Sequence, residues 1–104
     1  MRGYSYWKSY RNRIDRKWFL QPLKITGVFR FYGELVLSKS VRKALNNQDI
    51  NLILMDIKNA VQKNGGIDYL QIFTNRSRKK IYVIDNFRKG IEKSCVYIMF
   101  EEEY

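Results

Sequence analysis

The sequence predicts an α+β fold, an antiparallel sheet of four to five strands with two helices on one face. A stripe of apolar residues at helical spacing lies in the middle of the chain, and three segments that read as strands follow it. Helices that precede a run of strands are typical of α+β domains. At 104 residues the chain is long enough for one core. We therefore expect a single α+β domain over 24–104, preceded by a basic aromatic segment over 1–23 that packs on the core or extends from it.

The segment over 1–23 is predicted to be either a helix or an irregular arm. Its large apolar residues recur at spacings of three, four and four, and they are Trp7, Tyr10, Ile14 and Trp18. This spacing is one face of a helix, and Pro22 disfavours helical geometry at the preceding residue, so a helix would end near Leu20. Because Ser, Asn and Tyr are mediocre helix formers, an arm is the competing interpretation.

The first part of the domain reads as a strand followed by a short helix. Residues 24–37 alternate in the manner of a strand, and Gly33 is expected to bend or bulge it. Ser38 or Ser40 can then cap a helix over 39–46.

The clearest element is a second helix, which begins at Asn47 or Asp49 and ends at Asn64-Gly65-Gly66, residues that tolerate positive φ. Its apolar stripe consists of Ile50, Ile53, Leu54, Ile57 and Val61. We expect three strands after it, over 67–74, 79–85 and 94–100, with a basic tip joining the first two.

The composition narrows the classes of partner. Twenty Lys and Arg against ten Asp and Glu give a net charge of +10, which favours nucleic acid, a ribonucleoprotein or an anionic membrane surface. Cys95 is the only cysteine, so no disulfide within the chain is expected, and a reducing cytoplasm is the predicted compartment. The longest purely apolar run has four residues and there is no histidine. We therefore expect neither a membrane span nor a cofactor.

Two basic clusters are the candidate polyanion contacts. They comprise Arg11, Arg13, Arg16 and Lys17 in the first segment and Arg76, Arg78, Lys79 and Lys80 in the hairpin tip. The first is interleaved with rings that can stack on bases, namely Tyr4, Tyr6, Trp7 and Tyr10. Three other interpretations stay open. The aromatic stripe can pack on the sheet or on a second copy, a basic helix with Trp can lie on a membrane, and a charged tip can serve to prevent aggregation.

Enzymatic chemistry has weaker support in the sequence. Asp85, Glu101 and Asp68 lie at predicted strand ends, where carboxylates can hold Mg²⁺ in a nuclease. Asp85 also suits a turn with Asn86, and no spacing is diagnostic. Cys95 reads as a small buried residue in a strand.

Three segments share a pattern with known proteins. They are "FRFYGELVLSKSVRKAL", the strand ending "VID", and "VYIMFEEEY". The matching residues are Gly33, Val36, Leu37, Val41, Ala44, Leu45, Ile84, Asp85, Ile98, Met99, Glu103 and Tyr104. Over roughly 29–104 the chain resembles a family of short bacterial plasmid and prophage proteins, in which an aromatic-acidic segment stands where this chain has "NF". The resemblance implies a mobile-element context and no particular chemistry.

Together these features predict a small non-enzymatic protein of phage or mobile-element origin that binds nucleic acid or a nucleic-acid–protein complex. An alternative from another class is an anti-CRISPR-like inhibitor that docks on a host defence protein. Since such an inhibitor would be acidic if it mimicked DNA, the positive charge argues against mimicry but leaves docking open. A Mg²⁺-dependent nuclease is the third alternative. The sequence leaves open whether the protein is a homodimer.

Overall fold

A computed structural model describes residues 16–22, 27–87 and 93–104 of the chain. Its strands are β1 (Phe19–Leu20), β2 (Glu34–Leu37), β3 (Leu70–Thr74), β4 (Lys80–Asp85) and β5 (Cys95–Phe100). Its helices are α1 (Lys39–Ala44) and α2 (Asn47–Asn64), and a 3-10 turn over Glu101–Glu103 follows β5. The α+β class with two helices and five strands is confirmed.

The strands form one sheet in the order β1-β3-β4-β5-β2. The pairs β3/β4 and β4/β5 are antiparallel as predicted, and β1, a strand that was not predicted, pairs antiparallel with β3. By contrast, β2 runs parallel to β5. The reason is topological. Two helices separate β2 from the meander β3-β4-β5, and the third strand of that meander returns beside β2 in the same direction. The prediction of a wholly antiparallel sheet is therefore wrong for this one pair.

Both helices have side-chain caps. Ser38 caps α1, its Oγ accepting a hydrogen bond from the Val41 N–H at 3.2 Å. The N-cap of α2 is Asn46, one residue before the predicted start, because Asn46 and Asp49 accept hydrogen bonds from each other's backbone N–H groups. The helix ends at Gly65, whose φ of 72° is left-handed and suits glycine.

One face of the sheet, here called the inner face, is covered by the helices and forms the core. Alternate strand residues on that face are buried, and they include Phe73, Ile81, Val83, Val96, Ile98 and Phe100. They pack against the predicted stripe of α2, of which Ile50, Ile53, Ile57 and Val61 are buried and Leu54 is partly buried. The opposite face, here called the outer face, carries no described helix.

The described end of the first segment differs from the predicted helix. Residues 16–18 are in no helix or strand, and Phe19 and Leu20 pair with Thr74 and Phe73 of β3. A helix reaching Leu20 is therefore wrong, while the packing interpretation is confirmed for Trp18, which is buried with its ring centroid 6.3 Å from that of Phe100. Trp7, Tyr10 and Ile14 lie outside the described residues.

The predicted strand over 24–37 is much shorter than expected. Residues 24–26 lie outside the described part, Phe29 makes a single bridge to Ile67, and regular pairing begins only at Glu34. Phe31 has a φ of 56°, which interrupts an extended strand. The other three strands start up to three residues later than predicted and end at the predicted residues. None of the described helices combines the length and the apolarity needed to cross a membrane.

Candidate nucleic-acid interface

The basic tip, residues 75–79, is a tight hairpin loop built around one asparagine. Asn75 Oδ1 accepts hydrogen bonds from the N–H groups of Ser77 and Lys79 at 3.0 and 2.9 Å. The Arg78 N–H donates to the Asn75 carbonyl at 3.0 Å. A turn followed by one left-handed residue is a common three-residue hairpin connection. The loop therefore presents its cations from a defined backbone.

Arg78 occupies the left-handed position of this loop, with a φ of 65°. Glycine suits that position, and an L-residue there costs roughly 1–2 kcal/mol. An exposed arginine in a strained conformation contributes little to the fold, since its side chain makes no hydrogen bond among the described residues. Backbone strain of this kind is a reason to look for a function.

The tip and the end of the first segment meet in space. Arg16, Lys17, Asn75, Arg76 and Ser77 line one cleft of about 270 Å³. Arg16 and Lys17 of the first cluster therefore share a surface with Arg76 of the second, some sixty residues away in the sequence. Arg11, Arg13, Tyr4, Tyr6, Trp7 and Tyr10 lie outside the described residues, so their predicted roles stay predictions.

Arg16 is the most constrained cation of this surface. Its guanidinium binds the two carboxylate oxygens of Asp56 on α2 at 2.5 and 2.9 Å and donates to the Trp18 carbonyl at 3.2 Å. The hydrogen bonds that Arg16 donates to Asp56 raise the pKa of Arg16 above its ordinary value. Asp56 already neutralises the charge of Arg16, so Arg16 anchors the segment before β1 to α2. Lys17 and Arg76 form no ion pair within the described residues and are better placed to bind phosphate.

Lys79 and Lys80 point in different directions. The Lys79 ammonium lies 4.5 Å from the centroid of the Phe100 ring and 4.0 Å from a carboxylate oxygen of Glu102. Lys80 alternates with the buried Ile81 and so lies on the outer face. The four predicted tip cations are therefore not equivalent: Arg76 and Arg78 are exposed, Lys79 is partly engaged, and Lys80 borders the outer face.

The sequence did not predict the outer face of the sheet as a candidate surface. Cross-strand partners there form rows, first Phe19, Thr74 and Lys80 at the tip, then Ile72, Tyr82 and Met99, then Leu70, Ile84 and Tyr97. Rings on an open sheet can stack on unpaired bases. The available signal was that the apolar and aromatic residues of "KIYVID" and "CVYIMF" occupy both alternating sets, which gives each strand two apolar faces. Cys95 also lies on this face and is half-buried rather than buried.

The acidic residues after β5 are bound to the sheet. Glu101 accepts a hydrogen bond from the Tyr82 hydroxyl at 3.1 Å, and Glu103 accepts from the Ser38 hydroxyl and the Phe100 N–H, both at 2.8 Å. These hydrogen bonds lower the pKa of Glu103. Desolvation and the bond to Glu101 raise the pKa of Tyr82. The run is exposed, yet two of its carboxylates are fixed by hydrogen bonds in a 3-10 turn.

The carboxylates proposed for a nuclease do not come together. Asp85 is 4% exposed and accepts the N–H groups of Phe31 and Phe87, both at 2.9 Å. Glu101 follows Phe100, which pairs with Ile81 at the other end of β4, so strand rise separates the two by roughly 15 Å. Among the described residues no group of three potential ligands is close enough to hold a metal.

Comparison of the chain with family models, with curated proteins and with solved structures returned no match. The case for a function therefore depends on the geometry of the described residues alone.

Proposed function

We propose that the protein binds single-stranded nucleic acid, with the phosphates at the basic tip and bases on the outer face of the sheet. The observation that carries the proposal is that Lys17 and Arg76 line one cleft next to the Phe19–Thr74–Lys80 row, where the outer face begins. Cations that follow a backbone, beside rings that accept bases, are the two components of single-strand binding sites.

The arrangement favours a single strand over a duplex. The outer face carries Tyr82 and Tyr97, both half-buried, and the Tyr82 ring centroid lies 5.2 Å from that of Tyr104. Such rings can contact bases only when the bases are unstacked, because a duplex hides the faces of its bases. The distribution of charge agrees with phosphates bound at the tip. Lys80 lies at the tip end of this face, whereas Glu34 and Lys93 form an ion pair of 2.8 Å at the other end.

The direct test is fluorescence anisotropy with labelled poly(U), poly(dT) and duplex probes of about 12 nucleotides, within the site sizes of single-strand binders. We expect the single strands to bind more tightly than the duplex, with affinity that falls as salt rises. Loss of one phosphate contact should reduce the slope of log K against log salt by about 0.7. No binding of any probe at low salt would refute the proposal.

Variants of the protein separate the phosphate contacts from the base contacts. Arg76→Ala should lower the salt slope, whereas Lys63→Ala, which removes an equally exposed cation from the far end of α2, should leave it unchanged. Tyr82→Ala should cost about 1–3 kcal/mol of binding, the range measured for stacking on one base, while Tyr82→Phe keeps the ring and should bind nearly normally. Equal losses in Tyr82→Ala and Lys63→Ala would show that the outer face is not the base platform.

A further inference from the structure

A second surface lies at the end of the sheet away from the tip, along the edge strand β2. Glu34 N–H donates to the Ser94 carbonyl and Ser38 N–H to the Ile98 carbonyl, both at 3.0 Å. In a parallel ladder, alternate residues bond to the neighbouring strand. The N–H and C=O groups of Leu35 and Leu37 therefore face away from β5, and within 16–22, 27–87 and 93–104 no strand pairs with them.

An apolar pocket opens beside this edge, between β2 and α2. It has a volume of about 370 Å³, within the size range of small-ligand sites. Its walls include Leu35 and Val96 from the sheet and Leu54, Ile57 and Val61 from the helix. Leu35 is 38% exposed, so the pocket is open toward the unpaired edge.

Two cations stand at the rim of the pocket. Arg30 and Lys58 both line it and are both exposed. In the part of the chain that the structure describes, neither forms an ion pair, and the nearby Glu34 is paired with Lys93. An apolar floor with a cationic rim is complementary to an apolar side chain that has a carboxylate close to it.

The wall formed by 30–33 is held rigidly. Phe31 keeps its left-handed conformation because its N–H donates to the buried Asp85 carboxylate. Gly33 lies so close to the backbone of Ser94 that a Cβ there would be 2.6 Å from the Ser94 carbonyl oxygen. A wall fixed before binding lowers the entropic cost of association.

We propose that this groove binds an extended acidic peptide segment of a partner protein by strand addition to β2. Main-chain hydrogen bonds to Leu35 and Leu37 supply affinity, and the pocket supplies specificity, as in other strand-addition sites. Side chains two positions apart lie on the same face of a strand. The expected motif is therefore an apolar residue in the pocket with an acidic residue two positions away, facing Arg30 or Lys58. A second copy of this chain is a poor occupant, because its own net charge is +10.

The experiment uses fluorescein-labelled peptides and fluorescence polarisation on the full chain. The peptide TETLTET has the proposed pattern, TTELETT has the same composition with its Glu residues on the opposite face from Leu, and TKTLTKT reverses the charge. We expect TETLTET to bind about tenfold or more tightly than either control, a difference of about 1.4 kcal/mol. No binding of TETLTET at about 1 mM, or equal binding of TTELETT, would overturn the proposal.

Backbone N-methylation tests strand addition itself. Versions of TETLTET methylated at odd or at even positions block one side of the strand each, so one should lose binding and the other should retain it. Equal binding of both would mean that the pocket takes an isolated side chain or a small amphipathic anion without use of the edge, which contradicts the proposal.

Protein variants complete the test. Arg30→Glu combined with Lys58→Glu should reverse the preference from TETLTET to TKTLTKT. The matched control, Lys43→Glu with Lys63→Glu, makes the same change of charge at exposed helix positions that do not line the pocket and should keep the original preference. Thermal melts verify that both variants fold. An unchanged peptide preference in the first variant would refute the assignment. A homodimer that sedimentation detects and that TETLTET does not dissociate would refute it as well.

Discussion

Replacement of Arg78 by glycine separates the two roles that an arginine in the tip can have. The left-handed φ of 65° costs an L-residue roughly 1–2 kcal/mol, and glycine removes that cost. Glycine also adds unfolded-state entropy worth roughly 0.4–1 kcal/mol. The balance is a gain in stability of up to about 1.5 kcal/mol, which for a domain of this size corresponds to a rise in Tm of up to about 8 °C.

The same change should weaken nucleic-acid binding. If Arg78 contacts a phosphate, its loss lowers the slope of log K against log salt by about 0.7 for a single strand. The variant would then be more stable and bind less tightly, a combination that a purely structural role for Arg78 does not produce.

Arg76→Gly is the matched control, because it removes an arginine from the same loop at a residue whose φ is not positive. There glycine brings only its entropic cost, so stability should fall by roughly 0.4–1 kcal/mol, while the salt slope should fall as in Arg78→Gly. The measurements are thermal melts and anisotropy titrations from low to moderate salt. A lower Tm in Arg78→Gly would refute the strain argument, and an unchanged salt slope would remove Arg78 from the interface.

Three further predictions follow from contacts away from the tip. Asp56→Asn removes the charge that pairs with Arg16. Because this pair is only partly buried, it should cost about 1 kcal/mol in urea unfolding, while the freed cation should steepen the salt dependence of binding; an unchanged slope would show that Arg16 does not reach the ligand. Asp85→Asn keeps a single acceptor oxygen, so one of the two partly buried N–H groups that Asp85 binds, those of Phe31 and Phe87, loses its partner. Stability should fall by about 1–3 kcal/mol, seen as a lower urea midpoint with the same m-value; an unaltered midpoint would show that this carboxylate does not fix 31–33. The lowered pKa of Glu103 means that its contribution to stability is present above the unfolded pKa of about 4.3 and is lost as the pH falls through the folded value. The difference in Tm between the wild type and Glu103→Gln should therefore shrink in acid, and a constant difference would contradict this origin.

The elements that the sequence predicted correctly are those whose signal is local. The stripe of α2 and the apolar, aromatic-rich segments of β3, β4 and β5 can be recognised within a few residues, and both form the predicted elements in the structure. The two-residue strand β1 has no periodicity to detect, so the helical spacing that includes Trp18 suggested the wrong backbone although it identified a buried ring correctly. The parallel partner of β2 depends on a long-range pairing, for which no local pattern exists.

The candidate sites likewise divide into features with a local signal in the sequence and features that depend on the folded structure. The sequence identified the tip cations, since charge density is a local property. It could not show that Arg16 forms an ion pair with Asp56, forty residues away. It interpreted Asp85 as a turn residue, and the bond from the Phe87 N–H, two residues on, agrees with that role. It could not show the second bond, from the Phe31 N–H of a distant segment. The groove beside β2 is lined by residues from three separate parts of the chain, so only the folded structure brings Arg30 and Lys58 together.

The two proposed sites should act independently, because β4 sets the distance between them. It runs from Lys80 beside the tip to Asp85 behind the wall of the groove, about 17 Å at the rise of a strand. Exposed charges are screened within roughly 8 Å at physiological salt, so a phosphate at the tip should have little effect on a carboxylate at the groove. Titration of TETLTET in the presence of saturating poly(U) should therefore give the same affinity as without it. Competition would mean that the bound nucleic-acid strand extends along the outer face to the edge of β2, so that both ligands use one surface. Mutual enhancement would require a change in the sheet that couples its ends.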